Sequence, residues 1–228
     1  MIVLGIDTVT SATAVALRVA DGQTREARDD PAPGAHPGHA TRLLGMAAEL
    51  LDAAGLTARE LDRIAVGVGP GAFTGLRVGV ATARALAQSL ASELVGVSSL
   101  AALARTGPSG RPLLAVIDAR RGEVFAAPFS SPEGPELAAA AVLAPERIGA
   151  LAGPDAVAVG DGAKRYRAEL EAAGLDVPPD DAPEHLLRAT AICELALERD
   201  PSGDERSVVP DYLRRPDAEL TLHAGGAR

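Results

Sequence analysis

Two strand–turn–strand units, one in each half of the chain, constrain the fold more than any other feature of the sequence. The first joins residues 2–7 to residues 11–20, and the second joins residues 113–117 to residues 123–127. Each has a short apolar run, a tight turn and a partner strand, which is the pattern of a β-hairpin. Each is followed by strands that alternate with helical segments. Because a mixed sheet buries its apolar faces under helices, this order predicts an α/β fold of two lobes, each with a mixed sheet flanked by helices.

The first half continues with segments of clearly different periodicity. A third strand is predicted within 23–29, whereas 31–38 contains three prolines and two glycines and is predicted to be irregular. Apolar residues recur with helical spacing over 39–54, and Gly55 is predicted to end that helix. The remaining predicted elements are a strand at 64–68, a helix at 74–91 with Thr74 as N-cap, a strand at 95–97, and a helix at 100–105 capped by Ser98 or Ser99.

The stretch 106–110 is predicted to be a boundary between lobes, because it is rich in glycine, proline and serine and the order of elements restarts after it. It separates an N-terminal, partner-binding lobe at 1–105 from a C-terminal lobe at 106–216, and a flexible tail is expected at 217–228. The elements predicted after the second hairpin are a helix at 145–152, a strand at 156–159, and helices at 163–173 and 184–199.

Composition limits the classes of function that the chain can serve. Hydrophobic residues make up 47% of it but aromatic residues only 2%, which argues against binding single-stranded nucleic acid by base stacking. The formal net charge of −9 argues against strong binding of a phosphate backbone, so another protein is expected to hold any RNA. The single cysteine, Cys193, and the absence of a long apolar run fit a cytoplasmic protein that does not span a membrane.

A glycine-rich segment carries a specific resemblance. Residues 69–79 read Gly-Pro-Gly-Ala-Phe-Thr-Gly-Leu-Arg-Val-Gly. This run is similar to that of the bacterial TsaB family, which helps to install threonylcarbamoyl on the tRNA adenosine beside the anticodon. Four other segments agree in order and position: Ile6–Thr8, Gly96–Leu103, Asp118–Phe125 and Pro210–Arg214. The resemblance therefore spans nearly the whole chain, although little of it falls within 130–205.

The resemblance implies a two-lobe fold of the actin, Hsp70 and sugar-kinase type (the ASKHA, ribonuclease H-like fold). It also implies an accessory subunit that is not itself the catalyst. Members of the family pair with a related catalytic subunit, TsaD, which carries the metal and transfers the threonylcarbamoyl group, and an ATPase, TsaE, joins the pair. When TsaD is absent, a homodimer is implied. ATP or ADP and metal are therefore expected only on the partner subunits, and contact with tRNA only indirectly.

Folds of this type hold phosphates on two facing hairpin turns, where glycines let backbone N–H groups approach the ligand. The first turn here begins at Asp7 and Thr8 and has no glycine, and its β-branched residues disfavour the left-handed conformation. The second turn runs from Asp118 to Gly122 and has two arginines where small residues are expected. Both are predicted to be degenerate phosphate turns. Asp7 and Asp118 can still face a common cleft and bind Mg²⁺ through water.

Two other candidate sites have simpler structural interpretations. The link 67–71 precedes a helix N-terminus, where anions bind, but Pro70 removes a donor and no lysine follows. A tight turn between strand and helix is therefore favoured over an anion site. His36 and His39 have the wrong spacing for a helical metal pair, and both are expected to be solvated loop or N-cap residues.

The helix predicted at 74–91 is apolar over more of its circumference than packing on one sheet requires. Either the rest of the chain covers the surplus surface or another protein does. The resemblance supplies such a partner, since two helices of the family pack against the equivalent pair of the catalytic subunit. The docking surface predicted on helices 39–54 and 74–91 comprises Leu44, Met46, Ala48, Leu76, Arg77, Gly79, Val80, Ala83, Arg84 and Ala87.

Two rival functions stay open at this point. An active ATP-binding kinase or ATPase of the same fold would bind Mg-ATP tightly as an isolated chain. A metalloprotease would hold stoichiometric zinc or iron, for which the sequence offers few ligands. Serine hydrolysis is not indicated, because Ser98 and Ser99 lack the Gly-x-Ser-x-Gly elbow.

Overall fold

The computed structural model describes residues 1–32, 34–153, 155–201 and 207–214. The strands of its first sheet are β1 (Val3–Asp7), β2 (Thr13–Arg18), β3 (Thr24–Asp29), β4 (Arg63–Gly69) and β5 (Glu93–Ser98). They are arranged in the order β3-β2-β1-β4-β5. The central strand β1 is antiparallel to β2 and parallel to β4, so the sheet is mixed as predicted.

The second sheet lies in the C-terminal half. Its strands are β6 (Leu113–Arg120), β7 (Glu123–Phe129), β8 (Ala141–Leu143) and β9 (Val157–Val159), in the order β8-β7-β6-β9. The hairpin of β6 and β7 is antiparallel, and β9 joins β6 in parallel. The short edge strand β8 was not predicted, because three half-buried residues are too few to establish a period.

Helices cover both sheets. They are α1 (His39–Ala54), α2 (Phe73–Leu90), α3 (Ser99–Ala104), α4 (Asp161–Arg165), α5 (Arg167–Ala172) and α6 (Ala189–Leu197), with 3-10 turns at Ala58–Glu60, Pro145–Ala150 and Pro183–His185. Helix α1 has the predicted limits and ends at Gly55 with a left-handed φ of 68°. Within the described part of the chain, no helix has the length and apolar character needed to cross a membrane.

Alternation along the strands distributes side chains among three cores. In β1, Val3 enters the central core between the two sheets, whereas Leu4 enters the core under α1 and α2. In β6, Ile117 also enters the central core, whereas Val116 points to the outer core under α4 and α5. Helices α3 and α6 lie in the central layer. This layered arrangement confirms the predicted α/β fold of two mixed sheets flanked by helices.

Several predicted element boundaries are corrected by the structure. Helix α2 begins at Phe73 with Ala72 as N-cap, so Thr74 is not the cap. Ser98 does cap α3, where its side chain accepts from the Ala101 N–H. The helix predicted at 163–173 is two short helices that meet at Tyr166, whose φ of −114° is not helical. The helix predicted at 145–152 is a 3-10 turn, and that predicted at 184–199 is shortened to α6.

Helix α6 lies in the range assigned by sequence to the C-terminal lobe, yet it packs on β1, β2, β4 and β5 of the first sheet. Gly5 permits this approach, since a Cβ there would lie 2.6 Å from the Cys193 Sγ atom. The buried Arg63 of β4 donates to the carbonyl oxygens of Ala196 and Arg199 and pairs with Glu93. The N-terminal sheet is therefore completed by a C-terminal helix. The tail predicted at 217–228 lies outside the described residues.

Candidate functional site

The first turn, predicted as a degenerate phosphate turn, is organised by the buried carboxylate of Asp7. Asp7 is 2% exposed. Its Oδ1 accepts from the Val9 N–H at 3.0 Å, and its Oδ2 accepts from the Ser99 hydroxyl at 2.9 Å. Burial raises the pKa of Asp7 to about 6, although these two hydrogen bonds oppose the shift. Sequence reasoning weighed Ser99 as a helix cap and as a hydrolase nucleophile, and missed its contact with Asp7.

The beginning of α2 closes directly onto this turn. The Thr8 hydroxyl donates to the Gly75 carbonyl at 2.7 Å, and the Ala72 N–H donates to the Val9 carbonyl at 2.7 Å. At Gly75 a Cβ would lie 1.9 Å from the Thr8 carbonyl oxygen, and at Gly71 it would lie 2.4 Å from the Val9 Cβ. Glycines in the 69–79 run therefore serve the close approach of helix to turn. A phosphate-binding nest requires a residue with a positive φ, and none of residues 8–12 has one.

The second predicted phosphate turn has a different construction. Arg121 and Gly122, with φ values of 56° and 77°, form the two-residue link between β6 and β7, and Arg120 before them has a φ of 63°. Asp118 Oδ2 lies 3.4 Å from Arg120 Nη1 and 3.7 Å from Arg165 Nε. Beneath them, Asp161 accepts from the Asp118 N–H at 3.0 Å, and burial raises the pKa of Asp161. The two arginines of this turn adopt the left-handed conformation, and both are exposed.

The two aspartates predicted to face a common cleft are thus engaged separately. Asp7 is bonded to Val9 and Ser99, and Asp118 is bracketed by arginines. No group of three or more histidine, cysteine, aspartate or glutamate side chains suited to a metal ion occurs among the described residues.

The histidine prediction is wrong for one of its two residues. His36 is exposed, as expected. His39 is 5% exposed, and its Nδ1 lies 2.8 Å from the Thr13 hydroxyl, so it joins α1 to β2 and is neither solvated nor an N-cap. The N-cap of α1 is Gly38. Burial lowers the pKa of His39, which favours its neutral form.

The docking surface predicted on α1 and α2 is only partly at the surface. Six residues of the predicted docking surface are buried against the chain's own first sheet and are not available to a partner. They are Met46, Leu76, Gly79, Val80, Ala83 and Ala87. Arg84 is half-buried. The exposed members are Leu44 and Ala48 on α1 and Arg77 on α2, and Ala81 and Ala85 of α2 are exposed as well. We call these five residues the docking face. Sequence periodicity identified the two helices, but most of the residues predicted to form the docking surface lie on their buried sides.

An aromatic–arginine cluster lies at the start of α2 and consists of Phe73, Arg77 and Tyr212. The Arg77 guanidinium lies 3.8 Å from the centroid of the Phe73 ring, and its Nε lies 3.2 Å from the Tyr212 hydroxyl. The rings of Phe73 and Tyr212 are 5.1 Å apart, and both residues are 37% exposed. Sequence analysis quoted Tyr212 as part of a motif but had no signal that would place it beside residues 73 and 77.

The segment 211–214, which contains Tyr212, extends from the first sheet to the second turn. At one end the Asp211 N–H donates to the Val68 carbonyl at 2.7 Å. At the other end Arg214 donates to the Ala119 carbonyl at 2.8 Å and pairs with Glu123. The aromatic–arginine cluster is therefore connected to both lobes.

Comparisons with known proteins agree with this architecture. The model of the TsaD family, described as tRNA N6-adenosine threonylcarbamoyltransferase, matches residues 33–178. The tRNA threonylcarbamoyladenosine biosynthesis protein TsaB of Escherichia coli is 37% identical over 136 residues, which cover 58% of this chain and 57% of that protein. TsaB of Bacillus subtilis is 29% identical over 188 residues, which cover 79% and 82%. The solved structure of YeaZ from Pseudomonas aeruginosa superimposes with a TM-score of 0.76 at 30% identity, and covers 92% of this chain and 100% of that one.

Proposed function

Because this chain belongs to the TsaD family and to its TsaB branch, which serves tRNA threonylcarbamoyladenosine biosynthesis, we propose that it is the accessory subunit that docks a TsaD-like catalytic subunit. Docking holds that subunit competent to transfer the threonylcarbamoyl group. ATP or ADP and metal belong to the partner subunits, among them a TsaE-like ATPase. A second copy of this chain takes the same place when the catalytic subunit is absent.

The observation that carries the proposal is the exposed aromatic–arginine cluster. The chain has only three phenylalanines and two tyrosines, and one of each is half-exposed beside the same arginine. Tyrosine and arginine are the residues enriched at the energetic centres of protein interfaces. Arg77 is already ordered by the Phe73 ring and the Tyr212 hydroxyl, so a partner that contacts it causes little further loss of side-chain entropy.

The docking face beside this cluster supports the same conclusion. A helix packed on a sheet normally presents polar side chains to solvent. Instead, Leu44 is 55% exposed on α1, with Ala48 one turn away, and α2 exposes Ala81 and Ala85. Small side chains allow the close approach of another helix, and an exposed leucine contributes apolar area when covered.

The construction of the first turn favours an accessory role over catalysis. The beginning of α2 contacts Thr8 and Val9, and Asp7 is buried and hydrogen-bonded within the protein. A turn occupied in this way has few free N–H groups to offer a phosphate. Calorimetric titration of Mg-ATP into the isolated chain tests this part of the proposal. We expect no tight binding, and a micromolar or tighter dissociation constant would favour the kinase or ATPase alternative.

The central experiment measures association with the TsaD-like subunit from the same organism. Leu44→Glu places a charge on the docking face, and Arg77→Ala removes the centre of the cluster. We expect each to weaken association at least about tenfold and to reduce tRNA threonylcarbamoylation by the mixed subunits. Leu137→Glu is the control, because Leu137 is 60% exposed in the second lobe. The proposal fails if the unmodified subunits do not associate, or if both variants associate as tightly as the control.

A further inference from the structure

A group of cations beside the second turn runs against the acidic character of the chain. Arg120 is the last residue of β6, two positions after Asp118. Lys164 and Arg165 lie in the last turn of α4. We call Arg120, Lys164 and Arg165 the cationic tip. The side chains of Arg120 and Arg165 are 65% and 57% exposed, whereas that of Asp118 between them is 6% exposed. The guanidinium groups therefore face solvent and the carboxylate faces inward.

The charge balance of the cationic tip differs from that of four arginines elsewhere in the described chain. Four arginines elsewhere each have a carboxylate of their own: Arg63 with Glu93, Arg105 with Glu198, Arg111 with Asp176, and Arg188 with Glu26. Arg120 and Arg165 instead share Asp118. Lys164 has no ion pair with any residue that the structure describes. The tip thus has three exposed cations, two of which share the single ion-paired carboxylate of Asp118. The Asp161 carboxylate lies beneath them and accepts from the Asp118 N–H, so the exposed charges of the tip are positive.

Two members of the tip, Arg120 and Arg165, are also held in place. Asp118 accepts from the Arg120 N–H at 2.9 Å, and the Asp118 N–H donates to Asp161 at the first residue of α4, which joins hairpin and helix. Arg165 Nε lies 3.3 Å from the Tyr166 hydroxyl, and its guanidinium lies 5.6 Å from that ring. Charged groups ordered in this way bind an anion without first losing much rotamer entropy.

We propose that the cationic tip contacts the phosphate backbone of tRNA when the chain is part of the modifying complex. Arginine and lysine side chains form charge-assisted hydrogen bonds with phosphates, and such contacts fix the position of an RNA without reading its sequence. The chain remains acidic as a whole, so this contact positions an RNA that the catalytic subunit also holds. The net charge of −9 sums the whole sequence, whereas binding depends on how charge is distributed.

An acidic protein surface is the alternative partner for this tip. The composition of the tip favours RNA instead. Protein interfaces centre on apolar and aromatic side chains with charges at the rim. The cationic tip consists of exposed charges, and the exposed aromatic pair of this chain lies instead at the start of α2. Arginine and lysine side chains are common donors to phosphate oxygens.

The proposal rests on the proposed function, because it requires the assembled complex. Its test titrates the complex of this chain and its TsaD-like partner into fluorescently labelled tRNA from 50 to about 200 mM salt. For the double variant Lys164→Gln/Arg165→Gln we expect roughly tenfold weaker binding or more at 0.1 M salt, and a salt slope smaller by about one to two. Asp118→Asn has the opposite sign, since it removes the shared carboxylate and is expected to tighten binding.

Arg59→Gln is the matched control, because Arg59 is an exposed cation of the first lobe. Unchanged affinity and salt slope in the double variant, with an intact complex, would overturn the proposal. Weakened assembly with unchanged tRNA affinity would also overturn it and identify the tip as a protein contact. Association of the subunits is measured first by gel filtration. If the unmodified subunits do not associate, the proposed function fails, and the tip proposal fails with it because it requires the assembled complex. If they do associate, the tRNA titrations decide the tip proposal separately.

Discussion

The residues around the Asp7 carboxylate leave space for it and bind it. Gly67 leaves space for it, since a Cβ at that position would lie 1.9 Å from Asp7 Oδ2. The Ser99 hydroxyl, which donates to Asp7, also lies 3.3 Å from the Gly69 N–H. Through this pair of contacts, Asp7 connects β1 to α3 and to the turn that precedes α2. These contacts hold the first turn against both neighbours.

The raised pKa of Asp7 predicts a specific dependence of stability on pH. The folded protein binds the Asp7 proton more tightly than the unfolded chain does, because the pKa rises from 3.8 to about 6. The group therefore favours folding at low pH, and this contribution is lost as pH rises from about 4 to about 6. At pH values well above 6 the penalty for the ionised carboxylate reaches a constant value on the order of 3 kcal/mol.

Asp7→Asn removes this ionisation while keeping a similar shape. We expect the free energy of unfolding of the variant, relative to the original chain, to increase as the pH is raised from 4 to 7. Urea denaturation at several pH values measures that difference. The account of Asp7 would be wrong if the difference between the two proteins were the same at pH 4 and pH 7.

At the scale of elements, the contact between α2 and the first turn depends on the absence of side chains. The Gly75 backbone touches Thr8, and Gly79 passes the Thr8 hydroxyl, where a Cβ would lie 2.4 Å away. In α1, by contrast, nothing lies within 4 Å of a Cβ added at Gly45. The same type of residue in two neighbouring helices thus has a packing role in one helix and none in the other.

The substitution of glycine by alanine should therefore have opposite effects in the two helices. Gly75→Ala forces the helix away from a backbone oxygen, and we expect it to lower the free energy of unfolding by about 3 kcal/mol. Gly45→Ala gains only helix propensity, and we expect it to raise that free energy by about 1 kcal/mol. Thermal and urea unfolding of both variants provide the measurement. Two effects of equal sign would contradict the close contact between α2 and the first turn.

At the scale of the whole molecule, α6 and the second sheet share the central core with the first sheet. Residues from β1, α6 and β6 contribute to the same apolar cluster, including Val3, Ile192 and Ile117. Arg63 adds a buried polar connection from β4 to the end of α6. The first sheet therefore depends on residues far along the chain for the cover of one of its faces.

This dependence predicts the behaviour of a fragment cut at the sequence boundary. Residues 1–105 lack α6, so one face of the first sheet would be exposed, and we expect the fragment to aggregate or to lack cooperative unfolding. A fusion of 1–105 to 183–201 through a flexible linker is expected to regain helical and strand circular dichroism and a cooperative transition. A monomeric fragment that unfolds cooperatively without α6 would contradict this view of the central core.

The sequence alone determined those features that depend on local patterns. The spacing of apolar residues was enough to fix α1 at 39–54, and alternation together with turn residues identified both hairpins. The glycine-rich run at 69–79 and four shorter segments were enough to predict the family and the fold. These signals are local because helix and strand periods, caps and turns are set by residues close together in the chain.

Only the tertiary structure decided whether the chain itself or solvent covers each apolar surface of its helices. Periodicity showed that α2 is apolar on much of its circumference, but it could not show that Leu76 and Ala83 are covered by the chain's own sheet. The burial of Asp7 and His39, and the meeting of Phe73 with Tyr212, were likewise not predictable. Each depends on partners distant in sequence, and such contacts form only when the whole chain has packed, so no local pattern records them.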